Sequence, residues 1–149
     1  MEPLDAVIIG AGFAGLRALH TLRGMGKRVR VLEASDGVGG VWYHNAYPGA
    51  RCDVESYDYS YSFSSELEQE WRWSERYATQ PEILRYINHV ADRFDLRRDI
   101  SLNTRMASAV YDEASARWAI HAEDGRTWSA QFLVMCVGQL STTKRPSYP

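Results

Sequence analysis

The stretch Val7-Ile8-Ile9-Gly10-Ala11-Gly12-Phe13-Ala14-Gly15-Leu16 decides the fold. An apolar run, Leu4 to Ile9, leads into the glycines and reads as a buried parallel strand. From Gly12 to Met25 the period changes. Ala14, Ala18 and Leu22 recur at four-residue steps, and Leu16, Leu19, Leu22 and Met25 at three, which predicts a helix with Arg17, His20 and Arg23 facing out. Gly24 and Gly26 bracket its end. Val29 to Glu33 is the next strand. Strand, glycine turn, helix and strand make a βαβ unit, whose crossover should be right-handed.

In that setting Gly10-Ala11-Gly12-Phe13-Ala14-Gly15 is a G-x-G-x-x-G turn that binds a dinucleotide. Gly10 permits the tight turn, Gly12 lets a pyrophosphate approach the backbone, and Gly15 lets helix and strand pack closely. The helix N-terminus offers unpaired N–H groups to the phosphates. Glu33 closes the second strand, where its carboxylate can accept hydrogen bonds from a ribose diol and would repel a 2′-phosphate. The site is therefore expected to take FAD or NAD rather than NADP. A second pair, Gly39-Gly40, follows closely and is either a plain turn ending a loop or, as it resembles the second phosphate contact of the two-dinucleotide-binding flavoproteins, a feature that implies FAD rather than NAD as this first ligand.

Ala34 to Ser65 is long, irregular and rich in Gly, Tyr and Ser, the kind of connection that is usually functional. Short extended pieces are expected in Arg51 to Tyr61. Pro81 suits the start of a second helix running to about Phe94, with Thr79 or Gln80 as cap. Three strand-like segments follow, Met106–Tyr111, Trp118–Ala122 and Thr127–Ala130, with Asp124-Gly125 as the turn between the last two. Phe132 to Val137 reads as a further buried strand ending at Gly138. The expected class is α/β, a Rossmann-like parallel sheet interrupted by a small antiparallel meander. Residues 1–140 would form the N-terminal part of that domain, and residues 141–149 the start of a linker.

The 149 residues suit one domain, and a net charge of −2 gives no electrostatic case for nucleic acid or a membrane surface. Two cysteines are too few for a disulfide framework or metal cluster, and the four histidines lack ligand spacing, so no metal is expected. No membrane-length apolar run or signal peptide is present, so a cytoplasmic setting is expected.

A sharper pattern, Gly40-x-Trp42-x-x-x-x-Tyr47-Pro48-Gly49-x-x-x-Asp53, resembles the N-terminal fingerprint of type I Baeyer–Villiger monooxygenases. So do Arg51-Cys52-Asp53-Val54-Glu55-Ser56, Glu70-Trp71-Arg72-Trp73-Ser74-Glu75-Arg76-Tyr77 and Gly138-Gln139-Leu140-Ser141. The likeness covers nearly the whole chain and is nearest the phenylacetone, steroid and cyclohexanone branch. It implies FAD reduced by NADPH, O2 adding to the flavin as a C4a-peroxide, and a ketone converted to an ester or lactone. It also implies roles for individual residues. Gly10, Gly12, Ala14 and Gly15 match the pyrophosphate turn and Glu33 the ribose ligand. Gly40, Val41, Trp42 and Tyr43 match the segment along the flavin. Asp53 and Tyr59 match positions at FAD, Met106 a backbone contact to its adenine end, and Arg51, Cys52 and Asp53 a stretch that also approaches NADP. Asp53 would be the catalytic-site carboxylate, orienting an arginine that this chain lacks.

Read without the resemblance, Trp42 is a flavin contact or a core aromatic, and Asp53 a functional carboxylate, a cap or a partner of Arg51. The family's Phe-x-Gly…His…Trp linker and its second G-x-G-x-x-G are not in these residues. The chain alone is therefore expected to be catalytically incompetent and to leave sheet edges and apolar surface uncovered. Alternatives are a segment of another flavin monooxygenase, N-hydroxylating or S-oxidising, and a stand-alone FAD- or NAD-binding module.

Overall fold

The computed structural model describes residues 3–141 and 145–148. Residues 142–144 and 149, within the expected linker, lie outside the described residues.

The first βαβ unit forms as its sequence dictates. Strand β1 spans Leu4–Ile9, helix α1 Phe13–Gly24 and strand β2 Val29–Leu32. Two short helices follow, α2 over Val41–His44 and α3 over Ser65–Glu70. The amphipathic helix α4 covers Gln80–Arg93, with Pro81 in its first turn and Thr79 as a cap residue whose side chain makes no capping bond. A 3₁₀ turn, Arg97–Asp99, leads to the two-residue strand β3, Ile100–Ser101. Strands β4, Met106–Asp112, β5, Arg117–Ala122, and β6, Thr127–Met135, complete the chain.

These strands form one mixed sheet in the order β3-β2-β1-β6-β5-β4. The pairs β2–β3, β1–β2 and β1–β6 are parallel, and β4–β5 and β5–β6 antiparallel. The expected Rossmann-like sheet with an antiparallel meander is thus observed, with one correction. Thr127–Ala130 and Phe132–Val137, read as separate strands, are a single strand, β6. Its first half pairs with β5 through Ala130, and its second half with β1 from Ala130 to Met135. One continuous strand serves both subsheets because its register with each neighbour uses a different stretch. Nor is the second half buried as expected: Phe132 is 57% and Met135 52% exposed.

Alternation along β1 splits its apolar residues between two cores. Ala6 and Ile8 face α1 and α4, joining Leu16, Leu19, Ile83, Ile87 and Val90. Val7 and Ile9 face the meander, joining Leu32, Ile120 and Ala130. Between Arg51 and Tyr61 the extended structure reduces to a single bridge, Arg51 to Thr79.

The outward face expected for α1 also needs correction. Arg17 is exposed, but His20 and Arg23 are partly covered. His20 stacks on Phe63 at 4.2 Å and meets Phe94 edge-on. Arg23 donates to the carbonyls of Phe94 and Asp95 and pairs with Asp99 at 3.1 Å. Distant loops return over this face, which helical periodicity cannot reveal.

Candidate dinucleotide-binding site

Three turns converge at the carboxyl end of β1, where open α/β sheets bind their ligands. The first is the glycine turn. Gly10 adopts φ +100°, and a methyl group there would sit 2.5 Å from the Cys136 carbonyl oxygen at the end of β6. A methyl group on Gly15 would meet the Gly10 carbonyl oxygen at 1.8 Å. These two glycines are required by close backbone approach, as their positions in the motif predict. Gly12 is the N-cap of α1, with no side-chain cap and no acid in the first turn. Its first N–H groups are therefore free to meet an anion.

The second turn carries the Gly39-Gly40 pair. Gly40 adopts φ +58°, and a methyl group on it would stand 3.2 Å from the Gly12 Cα. The Gly39 N–H donates to the Ala11 carbonyl at 3.0 Å. The two glycine turns thus lie backbone to backbone, leaving no side chain where phosphates would lie.

Glu33 provides the third element. It is buried at the end of β2, with Oε2 accepting from the Ala11 N–H at 2.7 Å and Oε1 from the Ser35 N–H at 2.8 Å. Each oxygen holds one backbone donor and keeps further acceptor capacity for a diol. The donor set and the glycine approach fit a dinucleotide with an unphosphorylated ribose.

Beyond Gly40, helix α2 presents Val41, Trp42 and Tyr43, all partly buried. Trp42 Nε1 donates to the Tyr59 hydroxyl at 2.9 Å, and the rings meet edge-on at 5.7 Å. Tyr59 also packs edge-on against Phe13 of the glycine turn, 5.0 Å between centroids. Burial pushes the Tyr59 phenol above its ordinary range, opposed by the Trp42 bond and reinforced by Cys52 and Asp53. The phenol stays protonated and keeps a proton to donate. Tyr43 turns the other way, its hydroxyl donating to Asp36.

Residues 50–52 are pinned to residues 78–80. The Cys52 N–H donates to the Ala78 carbonyl at 3.0 Å, and the Gln80 N–H to the Ala50 carbonyl at 2.9 Å. Cys52 is buried, whereas Asp53 is exposed and its carboxylate has no hydrogen bond or ion pair among the described residues. Arg51 points away, pairing with Glu75 at 2.6 Å and the Tyr77 carbonyl.

The structure therefore brings Gly10, Gly12, Gly15, Glu33 and Gly40 together at the end of β1, with Trp42 and Tyr59 joined to them through Phe13 and with Cys52 and Asp53 near Tyr59. Ala14 is exposed on the first turn of α1. Met106 begins β4 beside the second core, two residues after Thr104, whose N–H donates to the Glu33 carbonyl at 2.8 Å. Gln80 was read only as a cap. Its side-chain amide also donates to the Trp42 carbonyl, tying α4 to α2. Nothing in the spacing announces that contact, because 38 residues separate the pair.

Known proteins share this architecture. A family profile described as an NAD(P)-binding Rossmann-like domain matches residues 8–73. Acetone monooxygenase (methyl acetate-forming) of Gordonia sp. (strain TY-5) is 51% identical over 98% of this chain, which spans 27% of that protein. A Baeyer–Villiger monooxygenase of Pseudooceanicola batsensis is 48% identical over 97% of the chain, again across 27% of the relative. Phenazine N-monooxygenase of Lysobacter antibioticus is 47% identical over 97% of the chain and 27% of its own length. The structure of an oxidised steroid monooxygenase bound to NADP aligns at a TM-score of 0.95 and 61% identity, covering 99% of this chain and 28% of that one. The chain spans about a quarter of the length of the relatives it matches, and over that quarter it is similar to Baeyer–Villiger, steroid and phenazine N-monooxygenases.

Proposed function

We propose that this chain supplies the FAD-binding crevice of an NADPH- and O2-dependent monooxygenase that converts ketones to esters or lactones. The observation carrying the reading is the backbone-to-backbone approach of Gly12 and Gly40 beside the buried Glu33 carboxylate. That arrangement suits a dinucleotide with a free ribose diol better than NADP. FAD bound there would supply the oxygen-transfer chemistry, with NADPH as the reductant.

The chain's own residues hold and orient. The free N–H groups at Gly12, Phe13 and Ala14 would neutralise the pyrophosphate. Glu33 would accept from the ribose. Gly40, Val41, Trp42 and Tyr43 would lie along the flavin, with Trp42 fixed by Tyr59 on one side and Gln80 on the other. Asp53, exposed and unpaired among the described residues, would receive and orient a guanidinium from elsewhere in the protein, a geometry that carboxylates impose well. Arg51 and Cys52 would line the approach of NADP, and the Met106 backbone would meet the adenine end. O2 and a small ketone are the proposed co-substrates, in a cytoplasmic setting. No helix among the described residues is long and apolar enough to cross a membrane.

Titration of the chain with FAD, read by flavin fluorescence and visible absorbance, tests the site. Saturable binding is expected. Glu33→Arg and Gly12→Asp should each weaken it by at least about tenfold, since each puts a wrong charge or side chain against the ligand. A well-folded chain with no saturable binding would overturn the reading.

The phenazine N-monooxygenase relative supports a second reading, N-oxygenation of a heteroaromatic amine. Product analysis of the full-length enzyme with a ketone and with a phenazine separates the two. An ester or lactone supports the first reading, and an N-oxide alone the second.

A further inference from the structure

A cavity of about 260 Å³ opens beneath α3, lined by none of the glycines. Five aromatic rings line it: Tyr57, Tyr61, Trp71, Trp73 and Tyr86. The Trp73 and Tyr86 rings lie 4.9 Å apart at 49°, and Trp71 meets Tyr86 at 5.3 Å and 61°. Rings inclined in this way do not stack shut; Tyr61 and Tyr86 are buried, Trp71 and Trp73 partly buried and Tyr57 exposed. They are also held in place. Trp73 Nε1 donates to Ser60 Oγ at 2.9 Å, the Tyr86 hydroxyl accepts from the Tyr61 N–H at 2.9 Å, and the Tyr61 hydroxyl donates to the Phe13 carbonyl at 2.6 Å.

The charge at the cavity has one sign. Among the described residues no Lys, Arg or His lines it, and the one charged residue that does is Glu68, on α3. The neighbouring acids on that helix are engaged. Glu66 accepts from Ser64 Oγ at 2.9 Å, and Glu70 pairs with Arg93 at 3.0 Å. The Glu68 carboxylate has no hydrogen bond or ion pair among the described residues.

Aromatic faces carry negative quadrupole density and bind cations, quaternary ammonium groups above all. A fixed aromatic box beside a free carboxylate, with no cation in its wall, therefore selects a positive ligand. The volume falls below the ~300–1,000 Å³ usual for drug-sized ligands, so it suits one headgroup-sized group. We propose that this aromatic cavity under α3 binds a small organic cation of the quaternary or alkylated ammonium class. The site is separate from the dinucleotide crevice and does not rest on that reading.

The test is calorimetric titration of the full chain with choline and with its uncharged isostere, 3,3-dimethylbutan-1-ol. Choline should bind saturably and about tenfold more tightly than the isostere, the gain expected of a cation held by several ring faces. E68Q, an exposed change that leaves the fold intact by circular dichroism, should weaken choline about threefold, as a partly solvated ion pair would. Equal affinity for the neutral isostere would show only an apolar cavity and overturn the proposal. So would a lack of saturable choline binding, or an E68Q variant that binds choline as the parent does.

Discussion

Two glycines of the same helix have opposite reasons to exist. At Gly15 a Cβ would be placed 1.8 Å from the Gly10 carbonyl oxygen, a backbone atom that cannot swing aside. At Gly24, the last residue of α1, a Cβ would meet nothing within 4 Å. Gly15→Ala is therefore expected to destabilise by at least about 1–3 kcal/mol, the usual cost of overpacking. Gly24→Ala should stabilise by about 0.5–1 kcal/mol, through lower unfolded-state entropy and better helix propensity. Urea unfolding of both variants checks the pair, and a Gly15→Ala protein as stable as its parent would refute the close-packing account. At this scale the sequence was readable wherever a residue acts on its own backbone. Gly10, Gly15 and Glu33 have environments that motif spacing alone predicts. Tyr59 against Trp42, and Gln80 beneath it, are contacts between segments far apart in the chain, and no local period encodes them.

Helices α1 and α4 could be read because each buries a stripe long enough to repeat. Helices α2 and α3, of four and six residues, are too short for a period to show. The outer face of α1 was misread for a different reason. His20 sits between Phe63 and Phe94, with its Nδ1 buried and unpartnered among the described residues. Burial, helped by the Arg17 and Arg23 charges, lowers the His20 pKa from its ordinary 6.5. The unfolded chain then binds more protons than the folded one as pH falls through the unfolded value. Stability from this group is present above about pH 6.5 and declines as pH drops below it. The acids whose pKa values are lowered, such as Glu70 and Asp112, titrate further down and leave this window to histidine. Urea unfolding at pH 7.5 and 5.5 should show lower stability at the acid end. His20→Phe should flatten that difference; an unchanged difference would mean that another group sets it.

At the scale of the whole molecule, β6 joins two sheets with different degrees of cover. Its first half pairs with β5, and beyond Ala130 its pairing is with β1 alone among the described residues. The apolar composition of Phe132 to Val137 argued for burial, yet Phe132, Met135 and Val137 are each half exposed or more, and Leu140 is 72% exposed. Composition states what a strand is suited to touch, whereas its surroundings decide whether anything is there. An unpaired edge flanked by exposed apolar side chains is a template for association. The 149-residue chain should therefore self-associate with rising concentration in sedimentation velocity and bind a hydrophobic dye. Phe132→Gln with Val137→Thr should reduce both without lowering the unfolding midpoint, since neither parent side chain contributes much to the core. If the double variant associates as strongly as its parent, the sticky surface lies elsewhere. If it loses stability instead, Phe132 is packed in solution and the exposed edge is closed.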